Sequence, residues 1–226
     1  VEYIIVDDGS KDDTVRKIET SVFYQKYSKT QQCRLIKQGV NKGKGAALKA
    51  GVEAASNSYI LTLDADLSTS PSELTHFIKH LSPDKILVAS REHKDSKITA
   101  EKSRKNIGRI FNLMVRCLTP LNLLDTQCGF KAFKMEKFRP LLGLMTIERF
   151  GFDVEFLYVA YKKGLRLKEI PVRWNHDERT KVNVLRDSRR MLKEVLQIKR
   201  NERKGLYNLN QIEDLEAYEC KVECKH

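Results

Sequence analysis

Four short β-favouring runs alternate with helical patterns, and that alternation constrains the fold more than any other feature of the chain. The runs are residues 1–6, 33–37, 59–63 and 86–89. After the first, Val15, Ile18, Val22 and Phe23 recur at helical spacing. After the second comes the Ala-rich stretch 46–55, and after the third Leu74, Phe77, Ile78 and Leu81. A strand returning parallel to its neighbour needs a crossover of roughly a dozen residues or more, normally a helix. Units of this kind in series predict an α/β/α sandwich around a mostly parallel sheet. Further on, the pattern predicts helices over 104–118, 136–144 and 156–164, and a strand over 165–174. A polar, basic loop without period is expected over 92–103. A basic amphipathic helix over 183–200 follows, with Val184, Leu185, Met191, Leu192, Val195 and Leu196 on one face and Arg186, Arg189, Arg190 and Lys193 around it. One domain is expected over 1–200, and residues 201–226, polar and aperiodic, are expected as a tail.

The chemistry-bearing residues sit where these strands end, which is where open α/β sheets bind ligands. Tyr59 to Leu63 runs directly into Asp64-Ala65-Asp66. Two acids so close repel unless a cation joins them, and hard carboxylate oxygens suit Mg²⁺ or Mn²⁺, which in turn hold phosphates. Taken alone, that spacing is a weak signal, and the same three residues read more readily as a polar turn. Asp7 and Asp8 close the first strand, and Ser10 with Asp13 has the spacing of a helix capping box. Ser70 is expected to cap a helix with Pro71 at its first position. Lys42-Gly43-Lys44-Gly45 precedes the Ala-rich helix, an anion-binding position. It lacks the spacing of a P-loop, so an ATPase is not indicated. Asp153 and Glu155 lie among aromatic residues, a costly placement unless they are paired or functional.

Charge narrows the partners. The chain carries 42 Lys and Arg against 30 Asp and Glu, a net +12. Residues 91–116 hold eight basic and three acidic residues and residues 181–205 hold nine and three, so these two segments contribute +5 and +6. Charge gathered in this way points to a polyanion: a nucleotide phosphate, an anionic membrane or a nucleic acid. Solvated basic helix faces would look the same. The five cysteines are odd in number and not spaced as a zinc set, which reads as free thiols in a reducing compartment. No run of 18 apolar residues and no signal peptide is visible. Val1 falls inside a strand pattern, so the chain reads as a fragment whose beginning is missing.

Six motifs occur in order: V-D-D-G-S-x-D-x-T from Val6, N-x-G-K-G-A-A-L from Asn41, D-A-D-L from Asp64, S-R at Ser90, D-T-Q-C-G-F-K from Asp125 and E-R-x-x-F-D-V-E-x-L-Y from Glu148. Together they resemble family 2 glycosyltransferases of the GT-A fold, within them the group that transfers sugars to dolichyl and bacterial polyprenyl phosphates. The resemblance covers residues 1 to about 200. It implies a Rossmann-like GT-A fold and an inverting transfer of a hexose, glucose from UDP-glucose, to a lipid phosphate. It implies a nucleotide-sugar role for Asp7, Asp8, Lys42, Gly43, Lys44, Asp64, Ala65, Asp66 and Arg91, and a Mg²⁺ or Mn²⁺ ion at Asp64 and Asp66, with Asp66 on the metal and Asp64 toward the ribose. By the same resemblance Arg91 and Arg109, with Arg104 beside them, meet phosphates. Asp125, Lys131 and Asp153 belong to the acceptor side, where Asp125 or Asp153 could serve as base or orienting group.

Three departures accompany the resemblance. The family's first strand, with its Pro-Ala-Tyr-Asn-Glu-like motif, is absent. Ser68 stands where relatives that make mannosyl lipids often carry Gln, and is not assigned as a ligand. The chain also reads as one without the N-terminal membrane anchor of the eukaryotic glucosyl enzymes. The expectation is a protein peripheral to the cytoplasmic face of a membrane, its basic helix 183–200 lying on anionic lipid. The competing arrangement packs that apolar stripe on the sheet. A transferase acting on a soluble or polysaccharide hydroxyl is the alternative reading. A nucleic-acid-binding module is the weaker one, since no zinc-finger, RNP or helix-turn-helix pattern is present and no nucleic-acid partner is expected.

Overall fold

A computed structural model describes residues 1–99, 111–175 and 184–208, with side chains in the last segment from residue 190. Arg104, Arg109, the first turns of the helix expected from 104, the side chains of Val184, Leu185, Arg186 and Arg189, and the tail from 209 lie outside the described residues.

Strand β1 (Tyr3–Asp7) pairs in parallel with β2 (Cys33–Lys37), Tyr3 opposite Cys33 and Asp7 opposite Lys37. Between them stand α1 (Thr14–Glu19) and α2 (Val22–Ser28). Helix α3 (Lys44–Ala54) returns the chain to β3 (Tyr59–Thr62). A 3₁₀ turn (Pro71–Glu73) opens α4 (Leu74–Ile78), with Ser70 accepting from the Ser72 amide as the Ser-Pro pattern predicts. Then come β4 (Lys85–Ser90), β5 (Lys97–Thr99) and a helix, α5, seen over residues 111–118. The second half holds β6 (Lys131–Lys134), α6 (Met135–Leu142), α7 (Phe152–Lys162), β7 (Arg166–Pro171), β8 (Arg173–Asn175) and α8 (Val184–Arg203).

The main sheet has the order β3-β6-β4-β7. β4 and β7 are parallel, and β6 runs antiparallel to both β3 and β4. Strands β3, β4 and β7 therefore share one direction, and their carboxyl ends share one edge. Period-two alternation divides β4 between two cores. Ile86 and Val88 join the large cluster of Phe133, Phe138, Phe156 and Leu157, while Leu87 and Ala89 join Phe77, Phe130 and Ile170 beneath α4. This is the layered α/β/α arrangement the alternating pattern predicts.

The structure departs from the sequence reading in several places. Among the described residues the strands pair in three ladders, β1–β2, the main sheet and β5–β8, rather than as one continuous sheet. The segment read as a loop from residue 92 contains β5, which pairs with β8 because the expected 165–174 strand breaks at Val172. There the Val172 amide turns to Ser96 Oγ and its carbonyl to the Lys97 amide. The Ser10–Asp13 capping box does not form: the Ser10 amide donates to Asp7 Oδ2 and the Thr14 amide to Asp12 Oδ1. The first helix stops at Thr20, and Ser21 caps a second one, leaving Val22 83% exposed. Among the described residues, part of the apolar stripe of α8 is taken by the core. Val195 and Ile198 are fully buried in the large cluster and Met191 packs against it, whereas Leu196 is exposed.

The chain just past residue 200 is also folded onto the body. Glu155 is fully buried. It accepts from the Thr146 and Ile147 amides, from Thr146 Oγ1 and, at 2.6 Å, from the Tyr207 hydroxyl. Asn201 Nδ2 donates to Thr146 Oγ1 and Tyr207 Oη, closing the network. Burial and the Glu155 carboxylate push the Tyr207 hydroxyl well above its ordinary pKa. A hydrogen bond to a buried charge contributes about 1.5–3 kcal/mol. Tyr207→Phe is therefore expected to lower the unfolding free energy by about 2 kcal/mol in urea titrations, whereas loss of a solvated tail residue would leave the midpoint unchanged.

Candidate active site

The acid pairs after β1 and β3 are used differently. Asp7, 6% exposed, ends β1 and takes the Ser10 amide. Asp8 accepts the Lys42 amide through Oδ1 and the Gly43 amide through Oδ2, both at 2.8 Å. Its carboxylate braces the loop that opens α3. Gly43 has φ +113°, and a Cβ there would lie 2.6 Å from the Glu148 carbonyl oxygen. Only glycine lets this loop close on the segment leading into α7. That approach delivers Lys44, the first residue of α3, into the space between β3 and α7.

Asp64 and Asp66 follow β3 in a tight turn. The Leu67 amide donates to the Asp64 carbonyl, and the Ser68 amide donates to Asp66 Oδ1 at 2.9 Å. Asp66 and Ala65 are exposed, Asp64 is half-buried, and Ser68 is buried. The Asp64 carboxylate lies flat against Gly129, where a Cβ would come within 2.2 Å of Oδ2. Thr62 Oγ1, donating to the Gly129 carbonyl at 2.6 Å, fixes that approach. The glycine of D-T-Q-C-G-F-K is thus the floor under the first acid of D-A-D, a relation that sequence spacing does not carry.

Lys44 joins the two halves of the site. Its Nζ stands 3.0 Å from Asp64 Oδ1 and 3.1 Å from Asp153 Oδ2. Asp153 Oδ1 meets Lys131 Nζ at 2.6 Å, and Lys131 also donates to the Cys128 carbonyl at 2.6 Å. Burial alone would lower the Lys44 pKa, but Asp153 and Asp64 outweigh it and hold the ammonium well above its usual range. Burial likewise raises Asp153, and Lys131 and Lys44 reverse this to hold the carboxyl below its ordinary value.

Arg91, just past β4, is committed to Asp125. Nε donates to Oδ2 at 2.6 Å, Nη2 to Oδ1 at 3.0 Å, and the Arg91 amide to Oδ2 at 3.0 Å, while the Gln127 amide takes Oδ1 at 3.1 Å. The guanidinium stands 5.6 Å from the centre of the Trp174 ring. Burial would lower the Arg91 pKa, but Asp125, with a smaller contribution from Asp64, holds the guanidinium above its usual range. Two arms of the Arg91 fork thus hold Asp125. Glu169 on β7 secures the turn by accepting the Leu124 and Asp125 amides. Neither Glu169 nor Trp174 stands out in the sequence, because both act from β7 and β8 across the fold.

Among the described residues no three His, Cys, Asp or Glu side chains converge as a metal cage. Asp64 and Asp66 fit instead an ion shared with a diphosphate, since Mg²⁺-like ions take one or two carboxylates and complete their shell with phosphate and water. Cys33, Cys117 and Cys128 are free thiols. No helix among the described residues is long and apolar enough to cross a membrane.

The model of the family described as glycosyl transferase family 2 matches residues 1–142. The chain is 34% identical over 207 residues to a dolichyl-phosphate beta-glucosyltransferase of Dictyostelium discoideum, covering 88% of this chain and 62% of that protein. It is 32% identical over 219 residues to the Homo sapiens dolichyl-phosphate beta-glucosyltransferase, covering 93% and 67%. The chain thus spans under two thirds of the first of these relatives. In structure it is similar to Mycobacterium tuberculosis glucosyl-3-phosphoglycerate synthase, with TM-score 0.58 at 18% identity over 86% of this chain and 68% of that one. The complex of that enzyme with Mn²⁺, UDP and glucosyl-3-phosphoglycerate gives TM-score 0.60 at 16% identity, over 87% and 68%. At such identity the likeness shows the fold, the GT-A arrangement implied by the motifs.

The Arg91–Asp125 pair has a pH signature. Burial raises the Asp125 carboxyl, but Arg91 outweighs this and lowers its pKa to about 2. A folded-state pKa below the unfolded one contributes stability above the unfolded value, near 3.9, and loses it as pH falls through the folded value. Urea unfolding should therefore show about 2 kcal/mol lost between about pH 4 and pH 2 from this group. Asp125→Asn should flatten that part of the acid limb while lowering stability at neutral pH, where Arg91 loses its partner.

Proposed function

Because the chain belongs to glycosyl transferase family 2, we propose that it transfers a hexose, glucose, from UDP-glucose to a polyprenyl or dolichyl phosphate with inversion at the anomeric carbon. The dolichyl-phosphate beta-glucosyltransferases at 30–34% identity support the reaction class. The observation that carries the choice of acceptor is the state of the two candidate bases. Asp125 is enclosed by Arg91 and the Gln127 amide, and Asp153 lies between two ammoniums. Both pKa values are depressed, which makes each a poor proton acceptor at neutral pH. A hydroxyl acceptor needs such a base. A phosphate is already an anion and does not.

In this reading the acceptor phosphate oxygen forms a bond to the sugar C1 as the bond from C1 to the nucleotide diphosphate oxygen breaks on the opposite face. The products are a sugar phosphodiester and a nucleoside diphosphate. A divalent ion, Mg²⁺ or Mn²⁺, neutralises charge on the diphosphate when bound, and Asp66 with Asp64 would hold it. Asp7 and the loop braced by Asp8 face the nucleotide. Lys131 and Asp153 shape the acceptor side, and the Arg91–Asp125 pair presents a fixed guanidinium beside the reacting phosphates. The exposed Arg190, Lys193 and Arg200 of α8 suit an anionic membrane surface by charge, so the protein works peripherally, at the cytoplasmic face.

The test is transfer of radiolabelled glucose from UDP-glucose into an organic-extractable product with dolichyl phosphate present, using the full chain. Asp66→Ala is expected to lower the rate by about 10²-fold or more, the scale seen when a group stabilising developing charge is removed. Label found only in water-soluble product would replace the lipid acceptor with a soluble one. Activity that survives both Asp66→Ala and chelation would overturn the metal assignment.

A further inference from the structure

Lys44 does more than line a nucleotide pocket. Asp64, Lys44, Asp153 and Lys131 form a continuous chain of contacts of 3.0, 3.1 and 2.6 Å. Two carboxylates and two ammoniums cancel, so the chain is neutral as it stands. A divalent ion arriving alone at Asp64 meets a carboxylate whose Oδ1 is already occupied by an ammonium, and two like charges at such a distance repel strongly in a partly buried setting. Lys44 has a second partner, because Asp153 Oδ2 still holds it if Asp64 lets go. Gly129 lies against one face of the Asp64 carboxylate and Thr62 fixes that contact, beside the Lys44 ammonium.

We propose that Lys44 is a positioning residue that competes with the divalent ion for Asp64, so that the ion binds firmly only together with the donor's diphosphate. The inference rests on the transferase reading above, from which it takes Asp64 and Asp66 as the residues that hold the ion. The diphosphate offsets the ion's charge and offers oxygens to both the ion and Lys44. Donor and ion therefore favour each other, and by linkage each raises the other's affinity by the same factor. Since Lys44 also touches Asp153, occupation of the donor side is felt at the acid that holds Lys131. Free ion without donor leaves the neutral chain intact.

The experiment follows Mn²⁺ binding to the full chain through the loss of the free-ion spin-resonance signal, with and without UDP, and needs no turnover. Wild type is expected to bind Mn²⁺ weakly alone and roughly tenfold or more tightly with UDP, within the usual range of coupling between sites. Lys44→Gln is expected to bind Mn²⁺ alone roughly tenfold tighter than wild type, with the UDP effect reduced to match. Lys44→Arg, which keeps the charge, should bind Mn²⁺ alone no more tightly than wild type, and tightening in both variants would overturn competition by charge. Wild type that binds Mn²⁺ equally well with and without UDP overturns the inference without recourse to any variant. Unchanged Mn²⁺ affinity in Lys44→Gln, with UDP still tightening the ion, overturns the role of Lys44 and leaves the metal assignment standing. Absence of Mn²⁺ binding even with UDP removes the metal assignment and the inference together.

Discussion

One ammonium ties the first half of the chain to the second. Lys44 is the first residue of α3, Asp64 follows β3, and Asp153 lies in the first turn of α7. Their contacts at 3.0 and 3.1 Å fix the distance between the strand edge and the helix behind it. Asp153 is buried, and a buried charge persists only when paired, because an unpaired ion in the interior costs several kcal/mol. The glycines at 43 and 129 serve the same contact: one lets the α3 loop approach, and the other lets Asp64 lie flat. Replacing any member of this group therefore disturbs both sides of the site.

Much of the fold is legible in the sequence because it depends on local period. β1, β2, β3 and β4 fall where β-favouring runs stop at polar residues, and α3 and α6 follow the expected spacing. The misses have physical causes. Val15 to Phe23 carries helical spacing, but Thr20 and Ser21 divert their hydroxyls to the Arg16 and Ile18 carbonyls, and the helix divides. The three residues of β5 have too little length for any period, and form a strand only because β8 leaves the main sheet to meet them. Residues just past 200 look polar, yet Asn201 and Tyr207 are buried by partners more than fifty residues away.

The site shows the same division. That Asp64, Lys131 and Asp153 gather in one place follows from their positions at strand ends and at a helix start. Which acid takes which base does not follow, because Lys44 reaches across the layers in a way that no spacing records. The basic helix is the clearest case of a pattern with two meanings. A stripe of Met191, Val195 and Ile198 suits lipid or core equally, and burial of Val195 and Ile198 decides for the core. What α8 keeps for a partner is charge on its outer side.

The placement of β6 has a consequence for how such a chain folds. Among the described residues β3 is hydrogen-bonded only to β6, with Thr62 opposite Lys131, and β6 also stands between β3 and β4. The strand that presents Asp64 and Asp66 therefore takes its described lateral partner from far along the chain, with Thr62 and Lys131 lying 69 residues apart. Loop-closure entropy over such a separation slows the pairing. The ladder that holds the two acids in place is thus a long-range contact, slower to form than the local turns and helices around it.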